Sequence, residues 1–278
     1  MALLMGVAAA LVWGVHDLLV RIVSPRGPAT PLLLVALLSG TLLLAPVTLL
    51  GEGPDGIARG RAGLAILAGL AFACASVGLY RAFSIGPVRV VAPICGAYPI
   101  LSLAAAALQG RPPSALDWVG VGGIVGGLAL AASRAEGEAE GSRRDAILWA
   151  LLGAAGFATT FALAQAAASD GGELTVTLIA RLSALLCVGA AVLLLRAPLA
   201  PARAQWRPLL LLGTLDATAI SLVVAAARFP SPEHAAVASS VFGLVTILLA
   251  WRVLGEPMRP VQWLGVLAVF AGVALVAA

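Results

Sequence analysis

Four ionisable side chains stand inside apolar runs. Asp216 is in the middle of Leu212-Gly-Thr-Leu-Asp216-Ala-Thr218, Arg181 lies about two turns into another run, and His16 and Asp17 come late in a third. A charge near a bilayer centre costs about 2.5–3.5 kcal/mol on insertion scales, so such groups face a cavity or a partner. Asp216 can hold an ammonium group, relay a proton, or pair with Arg181. Arg181 can instead bind a carboxylate or snorkel to an interface. His16 titrates near neutrality and suits proton coupling, with a hydrogen bond to a neighbouring helix as the plain alternative. Asp17 precedes Arg21 by four residues, the spacing of a helical ion pair that would merely orient the helix.

Aromatic side chains accompany these groups. Trp13 and Tyr98 lie well inside their runs and Tyr80 toward the end of its own. With Phe157 and Phe242 they would wall a pocket for a modest organic solute, apolar rings packing while a hydroxyl or indole N–H reaches inward. Ordinary helix packing explains the same rings. Trp118, Trp206 and Trp263 open runs and read as interface anchors. Pro93 and Pro99 interrupt the fourth run and mark it as a hinge. The ninth offers Ser239, Ser240 and Gly243 in the matching region.

Other chemistry is missing. His16 and His234 are the two histidines, in no metal-ligand spacing, and Cys74, Cys95 and Cys187 form no Cys-x-x-Cys. We therefore expect no metal, no cofactor and no enzyme. The sequence has no Gly-Lys-Ser/Thr phosphate loop, which argues against direct ATP drive.

Apolar elements must position these residues. The 278-residue chain is 61% hydrophobic and 11% charged, far from the roughly 25% charged of a soluble domain. Its 17 basic residues are all Arg, mostly between apolar runs. They read as membrane-flanking charges that contact lipid and not nucleic acid. Runs near 3–23, 31–50, 62–82, 88–108, 117–133, 146–168, 174–195, 207–227, 233–253 and 261–278 predict an all-α integral membrane protein of ten transmembrane helices. Residues 134–145, rich in Gly and Glu, read as a polar linker between units 1–133 and 146–278.

The units repeat. A shift of 145 positions pairs Pro87 with Pro232, Pro112 with Pro257, Trp118 with Trp263 and Gly120 with Gly265. Five spans per unit is an odd number, so the second copy is expected to enter the membrane inverted, with a solute site at the seam. Glycines at 120, 122, 123, 126, 127, 265 and 272 predict close packing of the fifth and tenth spans as a scaffold. Both termini then share one side. The Arg distribution places that side outside the cytoplasm.

Trp13-Gly14 and the Gly255-Glu256-Pro257…Trp263-Leu-Gly265 motif resemble the ten-helix EamA-type members of the drug/metabolite transporter superfamily. The first unit departs from the motif, with Arg111 where the second has Glu256. The resemblance implies a carrier that exports small metabolites, most characteristically neutral or aromatic amino acids, by alternating access. It further implies a multi-pass protein of the bacterial inner membrane, with cytoplasmic termini against the Arg count, and a monomer sufficient for function. Multidrug or cation efflux, or transport of nucleosides or nucleotide-sugar-like solutes, are the rival expectations.

Overall fold

The computed structural model describes residues 1–52, 61–86, 88–108, 110, 112–131, 140–254 and 259–277, and regular structure there is wholly helical. The helices are α1 (Ala2–Val23), α2 (Ala29–Gly51), α3 (Ala62–Ile85), α4 (Val88–Cys95), α5 (Pro99–Leu108), α6 (Ala115–Ala131), α7 (Glu140–Ala167), α8 (Glu173–Leu194), the short α9 (Ala200–Ala204), α10 (Trp206–Ala225), α11 (Glu233–Ser239), α12 (Phe242–Leu254) and α13 (Pro260–Ala277). Single-turn 3₁₀ segments follow α1 and α10.

Among the described residues, seven stretches are long and apolar enough to cross a membrane. They are Ala2–Arg26, Ala29–Gly51, Ala62–Ile85, Arg144–Ala167, Glu173–Leu194, Trp206–Arg228 and Glu233–Val253, with shorter apolar helices at Ala115–Leu130 and Pro260–Gly272. Leu42, Leu50, Leu108, Leu186, Leu194 and Phe270 point outward, which only a hydrocarbon solvent tolerates on this scale. This is a multi-pass integral membrane protein.

Three expectations need correction. The fourth run is not one continuous helix: it divides into α4, of eight residues, and α5, of ten. The ninth divides after Ser239 at nearly the matching place. Pro99 does not kink a continuous helix but begins α5, where its missing N–H is no loss. No proline sits at the second break. Ser239 and Ser240 turn their hydroxyls back to the carbonyls of Ala236 and Val237, at 2.9 and 2.7 Å, competing with the backbone ladder. Both breaks tighten into i→i+3 bonds, Ala97 to Ile94 and Ile100 to Ala97 in one, Val241 to Ala238 and Gly243 to Ser240 in the other. Helix α7 begins at Glu140, within the stretch read as linker. Of the motif residues, Pro87, Arg111, Gly255, Glu256 and Pro257 lie outside the described residues.

The two halves interlock by matching contacts. Helix α3 packs on α7 as α1 packs on α10, α2 on α10 as α3 on α8, and α4 and α5 on α7 as α11 and α12 on α1. Equivalent helices meet in opposite directions: Gly123 faces Gly272 and Gly127 faces Gly265, so α6 and α13 cross antiparallel. Gly122 and Gly126 have open space beside them and take no part in that contact.

At one end of the bundle the first half holds the second. The Glu52 carboxylate, after α2, accepts from the backbone N–H groups of Leu174 (3.0 Å) and Thr175 (2.8 Å) and from the Thr175 hydroxyl (2.9 Å), capping α8. Arg61 reaches Ser169, the Ala166 carbonyl and Asp170. Glu52→Ala is expected to lower stability by about 1 kcal/mol, the value of a lost N-cap, in thermal unfolding followed by circular dichroism. Glu52→Gln should recover part of that loss.

Candidate functional site

Between the halves lies a small hollow, part of it open to the outside, lined by Trp13, His16, Asp17, Leu33, Ala36, Leu37, Ser76, Leu79, Tyr80, Tyr98, Phe157, Phe161, Asp216 and Phe242. Helical spacing explains the lining. Trp13, His16 and Asp17 share one face of α1 at i, i+3 and i+4; Leu33, Ala36 and Leu37 do the same on α2, Ser76 and Tyr80 on α3, Phe157 and Phe161 on α7.

Polar contacts organise one wall. Trp13 Nε1 donates to Asp216 Oδ1 at 3.1 Å, and Arg181 Nη1 to Asp216 Oδ2 at 2.6 Å. This short charge-assisted bond joins α8 to α10, and the indole ties both to α1. His16 Nδ1 and Asp17 Oδ1 share a hydrogen bond of 2.8 Å. Aromatic rings adjoin these groups. Tyr98 lies 5.2 Å from Phe161 and stacks on Phe242 at 6.3 Å; Trp13 meets Phe161 at 5.6 Å and Phe242 edge-on at 6.3 Å. Such ring pairs add about 0.5–1.5 kcal/mol each beyond the area they bury. The buried Tyr80 hydroxyl has no partner among the described residues, an open hydrogen-bonding valence at the cavity wall.

The residues singled out from sequence do not all meet here. Trp13, His16, Asp17, Tyr80, Tyr98, Phe157, Asp216 and Phe242 line the hollow; Arg181 and Ser239 do not. Arg181 sits behind Asp216, its Nη2 against Gly40. Ser239 closes α11 and shares a 2.6 Å hydrogen bond with Tyr98, joining one helix break to the other. Gly243 packs beside the Ala92 carbonyl of α4. Pro93 lies within α4 and Pro99 opens α5. The Asp17–Arg21 pair does not form: Asp17 bonds to His16, and Arg21 donates to the Phe83 carbonyl at 3.2 Å.

A family model for the EamA-like transporter family matches residues 1–133 and again 144–278. The chain belongs to this family. That places it in the drug/metabolite transporter superfamily and makes it a membrane transporter. A solved structure described only as "Crystal structure of protein" superposes with a TM-score of 0.81 at 15% identity, covering 99% of this chain and 94% of that one. It establishes a shared fold. No curated protein matches the sequence.

In this EamA-like transporter, Phe161 and the aliphatic lining of α2 escaped the sequence reading. Phe161 follows Phe157 by one turn, so the helical period carried the signal. Nothing in the sequence distinguishes Leu33 or Leu37 from any other apolar residue. Tyr98→Phe is expected to weaken the junction of the two breaks by about 1 kcal/mol. Ser239→Ala should match it, and the double variant should lose no more than either single, as a double-mutant cycle in thermal unfolding would show.

Proposed function

We propose that this protein is a secondary active transporter that exports small organic metabolites by alternating access, with neutral or aromatic amino acids as the favoured class. The observation that carries the proposal is the hollow itself. Its lining combines the carboxylates Asp17 and Asp216 and the Tyr80 hydroxyl, which has no hydrogen-bond partner among the described residues, with the rings of Trp13, Tyr98, Phe157, Phe161 and Phe242. A solute with an ammonium group and an apolar body fits that division, through charge, cation–π attraction and ring contact. The antiparallel meeting of α6 with α13 supports ten membrane passages in two inverted units, with the solute route along their seam. In this reading α6 and α13 stay fixed, while the broken α4–α5 and α11–α12 pairs open and close the route. One chain supplies the whole lining, so a monomer suffices, in a bacterial inner membrane.

One feature of the lining favours efflux of organic cations as a second reading. Arg181 is withdrawn behind Asp216, so no arginine waits in the hollow for a carboxylate. Counterflow in proteoliposomes with phenylalanine, phenylethylamine and uridine separates the readings. Phenylalanine counterflow upholds the amino-acid reading, and phenylethylamine alone shifts the assignment to cations. Exchange of uridine alone, or of none of the three, refutes both.

A further inference from the structure

We propose that the His16–Asp17 dyad is the proton-carrying site of this transporter, and that Asp216, the other acid of the hollow, takes up no proton during transport. The inference rests on the reading of the hollow as the solute route and adds the coupling ion to it. Both members of the dyad line the hollow, are almost wholly buried, and share the 2.8 Å hydrogen bond. The surroundings separate the two acids. Asp216 has both oxygens engaged, one by Trp13 and one by Arg181. An arginine does not release its proton in a protein. Protonating Asp216 would therefore leave a guanidinium charge buried without a counterion, so the pair keeps a fixed net charge of zero.

The dyad has no such clamp. The His16 imidazole is held by a carboxylate that itself has no arginine partner among the described residues. With a neutral ring the dyad carries one negative charge. Uptake of one proton at the ring nitrogen not engaged with Asp17 makes an imidazolium–carboxylate pair of zero net charge. Release from the same nitrogen restores the first state, and only an N–H bond forms and breaks.

The groups that face the dyad do not compete for this role. Helix α10 brings Asp216, with Arg181 of α8 behind it; α3 brings Tyr80, α4 brings Cys95, and the first helix break brings Tyr98. The tyrosines ordinarily titrate near pH 10 and the thiol near 8.5. Helix α7 offers Phe157 and Phe161, α12 offers Phe242, and α11 meets α1 through Ala235 and Ala238. On α1 itself, Arg21 is turned to the Phe83 carbonyl. The second histidine, His234, lies at the start of α11, paired with Asp117 at 3.1 Å and outside the hollow.

The test has one arm that needs no substrate. Protein labelled with ¹⁵N-histidine in lipid nanodiscs gives two imidazole signals, and the one lost in His16→Gln belongs to His16. We expect the signal of this ring to change between pH 5 and 9, and that response to differ in Asp17→Asn, because the two side chains share a hydrogen bond. A ring that keeps one protonation state throughout that range, or a response indifferent to Asp17→Asn, overturns the proposal. The second arm loads proteoliposomes with phenylalanine. In both His16→Gln and Asp17→Asn the stimulation of phenylalanine uptake by a pH gradient, taken relative to uptake without the gradient, should fall at least tenfold. Gradient-driven uptake at the wild-type rate in both variants also overturns it. Failure of wild-type phenylalanine counterflow removes the amino-acid reading instead, and the nanodisc titration still decides the dyad.

Discussion

Asp216→Asn should lower the stability of the folded protein by about 3–5 kcal/mol, the range for removing one partner of a buried ion pair. Arg181 is 0% exposed and Asp216 8%. The asparagine keeps an oxygen for Trp13 Nε1, so the loss isolates the charge. Arg181 is poorly placed to find another partner: its Nε and Nη2 already lack one, and Nη2 is wedged against Gly40. The double variant Arg181→Met, Asp216→Leu should recover most of the loss, because buried pairs are commonly replaced by apolar groups at little cost. It should nevertheless abolish counterflow of the wild-type substrate. Thermal unfolding of the two single variants and the double variant checks this. Wild-type stability in Asp216→Asn would mean that the pair is solvated and the wall of the hollow is not built as described.

Gly213→Ala should be about as damaging, at the upper end of the roughly 1–3 kcal/mol typical of overpacking, or enough to abolish folded protein. A methyl group there would run into the Ala36 carbonyl and the Ser39 hydroxyl, with the Gly40 amide 2.8 Å away. Two of those three atoms are backbone, which cannot rotate aside. Ser39 also bonds to the carbonyls of Ala36, Leu209 and Leu210, so the crossing of α2 and α10 has no slack. The same crossing seats Arg181 behind Asp216, and a shift there would reach the hollow. Gly126→Ala is the control. It meets nothing within 4 Å, and removing a helical glycine should leave stability unchanged or raise it by about 0.5–1 kcal/mol. Yield of monodisperse protein and melting temperature separate the two outcomes.

The scaffold is repeated while the chemistry is not. At the 145-residue offset Asp216 corresponds to Ala71, Arg181 to Ala36, and Asp17 to Ala162. The charged groups of the hollow have no charged counterparts in the other half, although it lies between related halves. His16 corresponds to Phe161, and both line it. A repeat found by alignment therefore points to the seam but not to the side of it that binds charge.

What the sequence determined by itself was the solvent, the helical class and the doubling of the chain. Hydrophobic runs and the high cost of charge in hydrocarbon make Asp216, Arg181, His16 and Asp17 conspicuous without coordinates. Tertiary structure alone decided how those four pair. Spacing offered Asp17 to Arg21, but backbone contacts took Arg21 to Phe83 and left Asp17 to His16. Tertiary structure also moved Arg181 out of the hollow and divided the fourth and ninth runs. Sequence spacing reports neighbours along one helix, whereas a buried charge takes its partner from whichever helix lies across from it, and that is fixed only when close glycine contacts such as Gly40 with Gly213 set the distance between helices.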